Sequence, residues 1–241
     1  MTAGLEKQAA GPRRLRADAL ATRERLVETA IIMFAERGLH GVSLREIGEQ
    51  AGARNTGAVH YYFGGRRALI LAALDLIIDA LAVPPGDLSE ASGALETDST
   101  FAAVASAVTA AVLPWTSLPE RHVWGSAAIR LLSRMWTGEG EGFAVDIEQR
   151  LQPSIDRLAK RLTELMPGMP RTVLLKRIDF VLVTFICGMA ATSYSAEAVS
   201  AGVWPEIPPE TLFRMLVNYA AGGLMAPVAH GDAAFGVTPL A

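Results

Sequence analysis

Apolar residues recur at helical spacing along most of this chain and strand-like alternation is scarce, so the pattern predicts an all-α protein. Between Thr22 and Arg37 the residues Leu26, Val27, Ala30, Ile31 and Phe34 form one stripe, and Gly38 ends that helix. A second, short helix follows Ser43. The Ser43 hydroxyl is a natural N-cap, Glu46 completes a capping box, and Val42 and Ile47 can close a hydrophobic staple. Leu44, Ile47, Gly48 and Ala51 give its buried face, and Gly52 suits a left-handed C-cap. A third helix is expected from Asn55, as its cap, to Tyr62. Ala58, Val59 and Phe63 would face the core, leaving Thr56, Gly57, His60 and Tyr61 outside. So short a helix must be held by tertiary packing.

Further helices are expected at 66–81, 100–115, 119–137, 144–166 with Pro153 as a kink point, 171–200 and 210–225. The stretch 83–99, rich in Pro, Gly, Ser and acids, reads as a loop, as do GEGEG at 138–142, PGMP at 167–170 and AGVWPEIPP at 201–209. The expected organisation is a flexible basic arm over 1–18, a helix-turn-helix domain over 19–66, a helical body over 67–229 and a flexible tail over 230–241.

Two helices joined by a glycine-centred turn, the second polar and ending in aromatics, suit the placement of one helix in the major groove of DNA. Charge distribution agrees. The chain carries a formal net charge of −3, yet residues 1–70 hold eleven Lys/Arg against seven Asp/Glu, net +4, leaving −7 for the rest. A basic head on an acidic body fits a DNA reader with a separate effector domain. Candidate DNA contacts are Ser43, Arg45, Arg54, Asn55, Thr56, Gly57, His60, Tyr61, Tyr62 and Arg66. Arg66 and Arg67 open a helix at its positive end, where they oppose the macrodipole by ~0.3–1 kcal/mol each, so a phosphate explains them better than stability does. Arg13, Arg14 and Arg16 of the arm could reach phosphates or a minor groove, or form a solvated tail.

The segment ATRERLVETAIIMFAERGLHGVSLREIGEQAG, followed by a polar helix and YYFGGRRALI, resembles the N-terminal domain of the TetR family of bacterial transcriptional regulators. The resemblance covers residues 20 to 75, about a quarter of the chain. The stretch from Ala51 to Phe63 is longer by a single residue than the commonest family pattern, as in an RN-type variant, and His60 stands where most members carry a tyrosine. What the resemblance implies is an all-α fold with an N-terminal three-helix helix-turn-helix domain and a C-terminal ligand-binding and dimerisation domain. It implies a cytoplasmic homodimer that binds a double-stranded DNA operator and a small-molecule effector, most often as a repressor released by that ligand. An activator, an orphan regulator, or a helical small-molecule carrier with a vestigial DNA-binding head are the alternatives.

The body offers Phe101, Trp115, Trp124, Arg130, Met135, Trp136, Phe180 and Thr184 as pocket candidates, with Ser133 and Phe143 beside them; each is also an ordinary core residue type. The family's dimer bundle would fall on the last two long helices, with Phe185, Gly188, Ala191, Leu216 and Tyr219 as interface candidates. Four dispersed histidines with no ligand spacing suggest no metal site, no cofactor is expected, and the absence of nucleophile-elbow or phosphate-loop motifs argues against an enzyme. The single cysteine, Cys187, rules out an internal disulfide. No secretory leader is evident, and the longest apolar run, Phe180 to Ala191, is too short to span a membrane, so no membrane partner is expected.

Overall fold

The computed structural model describes residues 12–53, 55, 57–82, 100–138, 142–191, 199–203 and 205–228, with side chains from residue 18 onward. Ten helices are described: α1 Pro12–Arg37, α2 Leu44–Gln50, α3 Ala58–Phe63, α4 Arg66–Ala82, α5 Thr100–Thr116, α6 Leu118–Arg121, α7 Gly125–Thr137, α8 Ala144–Leu165, α9 Arg171–Ala190 and α10 Pro209–Met225. No strand occurs among the described residues. The chain forms two compact units, Met1–Leu76 and Ile77–Ala241.

In the first unit the apolar stripe of α1 is buried in full: Leu26, Val27, Ala30, Ile31 and Phe34. Ile47 of α2, Ala58 and Val59 of α3, and Leu69, Ile70, Ala73 and Leu74 of α4 complete the core. The burial of those four α4 residues carries the unit to Leu76, beyond the boundary expected at residue 66. Helix α1 also starts earlier than expected. Residues 12–18, expected in a flexible arm, belong to this helix. Residues 1–11 and the tail from 229 lie outside the described residues.

In the second unit α5 packs on α8 and α10, α9 packs on α7, α8 and α10, and α6 packs on α5 and α7. The single helix expected over 119–137 is two. His122 is extended, and Gly125 lies so close to the Leu118 carbonyl that a Cβ there would stand 2.2 Å from its oxygen. His122 is half-buried and stacks on the Trp124 ring at 4.4 Å. Helix α9 ends at Ala190, ten residues short of expectation, whereas α8 runs unbroken through Pro153. The stretch Thr100–Arg121 is long and apolar enough to cross a membrane by length and composition. Its residues Val104, Val108, Val112 and Trp115 are nevertheless buried inside this unit, as in a core helix.

Arg177 of α9 ties the end of α10. Its guanidinium donates to the carbonyls of Leu224 at 3.0 Å, Ala226, and Pro227 at 3.2 Å. The Leu224 carbonyl, in the last turn, has no intrahelical partner, the other two follow the helix end, and a cation there also suits the helix dipole.

Candidate nucleic-acid interface

The turn between α2 and α3 is built from short-range hydrogen bonds. The Glu46 N–H donates to the Ser43 hydroxyl at 3.2 Å, and the Ser43 N–H donates to Glu46 Oε2 at 2.7 Å, so the expected capping box is present. Arg37, the last residue of α1, donates to Glu46 Oε1 at 2.8 Å and to the Gly41 carbonyl at 3.0 Å, fastening α1 to the start of α2. The Glu46 carboxyl is lowered from 4.5 to about 2, first by its hydrogen bond with the Ser43 hydroxyl, then by the Ser43 N–H and Arg37. Helix α2 closes at Ala51, and Gly52 takes the left-handed φ of 68° that the turn requires.

Asn55 does not cap α3 as expected. Its Oδ1 accepts from the Gly57 N–H at 2.9 Å and its carbonyl accepts from the Ala58 N–H at 3.0 Å, which makes an Asx turn leading into the helix. Gly57 is the N-cap and α3 starts three residues after Asn55. Ala58 and Val59 are buried, while Asn55, His60 and Tyr61 are exposed, Tyr61 by 81 %. Tyr62 is half-buried, with its ring edge-on to Tyr61 at 5.0 Å. Phe63, expected in the core, is only half-buried and lies under the Arg23 guanidinium at 5.0 Å. Gly64, at φ 76°, ends the helix. A groove of about 470 Å³ runs beside this surface, lined by Asp18, Thr22 and Arg25 of α1 and by Asn55, Tyr61 and Tyr62. Arg54 and Thr56 lie outside the described residues.

The arginines divide. Arg45 is exposed and pairs with Glu49 at 2.8 Å; that hydrogen bond and then the carboxylate charge raise its pKa. Arg66 turns inward: it donates to the Leu39 carbonyl at 2.7 Å, and its guanidinium lies 5.9 Å from the Phe34 ring centroid. The side chain expected to grip a phosphate therefore holds the α1–α2 connection. Ser43 is likewise occupied by its cap.

In the second unit a cavity of about 560 Å³ opens between α5, α8 and the last turns of α4. Of the expected pocket residues only Trp115 lines it. Thr184 instead edges a narrow crevice between α9 and α10. Trp124, Met135 and Phe143 are buried in the core, Phe101 and Phe180 are exposed, and Arg130, Ser133 and Trp136 are half-buried away from the cavity lining. Aromatic residues drew attention because they are large; the walls are alanines of α5 at positions 103, 107, 110 and 111, and the arginine-bearing face of α8. Alanines recurring every three or four residues opposite a helix with Arg150, Arg157 and Arg161 were the available signal.

Of the interface candidates, Phe185 is 2 % exposed and belongs to the subunit core. Gly188, Ala191 and Tyr219 are exposed and Leu216 is half-buried. Phe180, Leu212, Met215 and Tyr219 leave a run of large apolar side chains bare on α9 and α10.

A compact unit of α1–α3 and the first turns of α4, with His60 and Tyr61 of α3 facing solvent, followed by a separate helical unit, defines a helix-turn-helix protein. The family model described as bacterial regulatory proteins, tetR family, matches residues 26–73, and that described as tetracyclin repressor-like, C-terminal domain, matches residues 109–223. The chain belongs to the TetR family. Two uncharacterized HTH-type transcriptional regulators from two strains of Mycobacterium tuberculosis are each 35 % identical to it over 74 residues. Those matches take in 31 % of this chain and 37 % of each relative, so the chain spans little more than a third of their length. The crystal structure of a HlyIIR mutant protein carrying a linker with two thrombin sites superposes with a TM-score of 0.50 at 16 % identity, covering 87 % of this chain and 100 % of the other. That likeness concerns the fold.

Proposed function

We propose that the protein is a homodimeric, sequence-specific DNA-binding regulator of transcription, a repressor released from its operator by a small molecule. The observation that carries this reading is the two-sided character of α3: Ala58 and Val59 anchor it, and Asn55, His60 and Tyr61 stand clear of the fold. Donors and acceptors held out on a short helix, entered through the Asn55 Asx turn and closed by left-handed Gly64, suit base edges in a major groove. Arg45 of α2, Gly57 and Tyr62 are further contacts, and Arg54 and Thr56, their neighbours in sequence, complete the proposed set. Backbone amides at the start of α4 can meet a phosphate; Ser43 and Arg66 act by holding the geometry.

Two-fold operators require two heads, and the bare apolar run on α9 and α10 is the surface for pairing. The cavity of the second unit supplies the effector site. Release follows when a ligand binds the DNA-incompetent state more tightly, a coupling of ~1–3 kcal/mol.

The test is recovery of bound fragments from a genomic library, followed by titration of the operator at several salt concentrations. Tight binding to a near-palindromic site, lost in a His60→Ala or Asn55→Ala variant for that sequence more than for random DNA, is expected. Binding that never exceeds that to random DNA, in the wild type, overturns the reading.

A further inference from the structure

We infer that the cavity between α5, α8 and the end of α4 takes an amphipathic anion: an apolar chain with a carboxylate or phosphate head. This deepens the effector reading above and rests on it for its regulatory meaning, though the site itself stands on its own chemistry.

The cavity has two kinds of wall. On one side α5 presents Ala103, Ala107, Ala110 and Ala111, whose methyl groups leave the space open, with Trp115 at one end. Leu151, Ile155 and Leu158 of α8, and Ile178 and Leu182 of α9, continue the apolar surface. Its volume, about 560 Å³, lies within the range that small-molecule sites occupy, ~300–1,000 Å³. The other wall carries charge. Arg150, Arg157 and Arg161 all reach the cavity from α8, and none of the described residues lining it is acidic. Positions 157 and 161 are one turn apart, so their guanidiniums share a face.

The three arginines are not equally committed. Arg150 donates to the Asp146 carbonyl at 3.0 Å and stands 3.6 Å from its carboxylate. Arg157 donates to the neutral Ser154 hydroxyl at 2.8 Å, and Arg161 meets Glu164 at 3.3 Å in an exposed pair. An exposed pair of this kind holds its partners only weakly, so a head group can compete for the fork. Guanidinium forks match carboxylate and phosphate oxygens two at a time. A cationic ligand meets only repulsion here, and a neutral polar ligand finds few partners along the alanine wall.

The experiment uses the full chain and four single-chain probes below their aggregation concentrations: laurate, dodecyl phosphate, dodecyltrimethylammonium and dodecyl maltoside. Isothermal titration should show laurate or dodecyl phosphate binding once per chain, and whichever binds more tightly names the head group. Replacing both outer arginines, Arg157→Gln with Arg161→Gln, should weaken that binding tenfold or more and leave the melting temperature unchanged. Ala107→Phe should block uptake in a protein that still unfolds cooperatively. Equal affinity for the cationic or neutral probe overturns the inference, and so does unchanged affinity in the double variant or in Ala107→Phe. A parallel operator titration separates the two readings. Laurate uptake that leaves DNA affinity unaltered upholds this site and overturns ligand release; operator binding without uptake of either anionic probe overturns this site and leaves DNA recognition standing.

Discussion

Glu46 joins three parts of the helix-turn-helix unit through one carboxylate: its own helix, the Ser43 cap and Arg37 at the end of α1. Its folded pKa, about 2, lies below the ordinary 4.5. A depressed acid stabilises fully above the unfolded value, and that contribution is lost as pH falls through the folded one. The stability difference between the wild type and Glu46→Gln should therefore be greatest above pH 4.5 and shrink towards pH 2. Urea unfolding at pH 6, 4 and 2.5 checks this, and a difference independent of pH would refute it. Tyr61 makes the opposite case. So exposed a ring contributes little to folding, so Tyr61→Ala should change stability by less than about 0.5 kcal/mol while weakening operator binding measurably. Equal operator affinity in fluorescence anisotropy would remove Tyr61 from the interface. At this scale the sequence was legible where chemistry is local. The Ser43–Glu46 box needs only residues three apart. Asn55 was misjudged because the same side-chain oxygen can cap a helix or close an Asx turn, and the choice depends on Gly57. The hydrogen bond from Arg66 to the Leu39 carbonyl has no local signal, because its partner lies 27 positions earlier.

Elements were legible where apolar periodicity is strong and less so where backbone approach decides. The stripe of α1 is buried as its spacing dictates, and α5, α8 and α10 fall close to their expected limits. The break between α6 and α7 depends on a contact between Gly125 and the backbone of Leu118 and Pro119, which no periodicity reports. Gly125→Ala should thus destabilise the protein by about 1–3 kcal/mol, the usual cost of forcing atoms into packed space. A urea midpoint equal to that of the wild type would show that the backbone yields there without strain. Arg177 is the other long-range device, reaching from α9 to carbonyls 47 to 50 positions away. Arg177→Met keeps the stem and removes the charge-assisted bonds, so calorimetry should register a loss of about 1–3 kcal/mol. Hydrogen exchange should quicken at the end of α10 before it does in α5; exchange unchanged at that end would contradict the clamp.

For the whole molecule, the charge count separates a basic first seventy residues from an acidic remainder, while the limit between the two compact units, at Leu76, falls inside a helix where neither charge nor loop composition marks it. For the proposed pairing surface, helical spacing alone does not separate Phe185 from Tyr219: they sit on neighbouring helices, one buried and one 68 % exposed. Placing charge on the exposed side, Met215→Glu with Tyr219→Glu, should dissociate the proposed dimer without unfolding the subunit. Light scattering should then report half the mass, and operator affinity should fall because one head reads one half-site. A dimer of undiminished stability would move the interface elsewhere.

The alanine wall of α5 has a further consequence for how such a protein changes its signal. Each of those methyl groups is a rung, and lengthening one to valine or leucine shortens the room behind it without touching the basic rim. For the proposed ligand, the room behind the methyl groups of α5 and the charge on the rim of α8 would then vary independently, so substitutions along α5 should shift the preferred chain length one carbon at a time while the grip on the head group is kept.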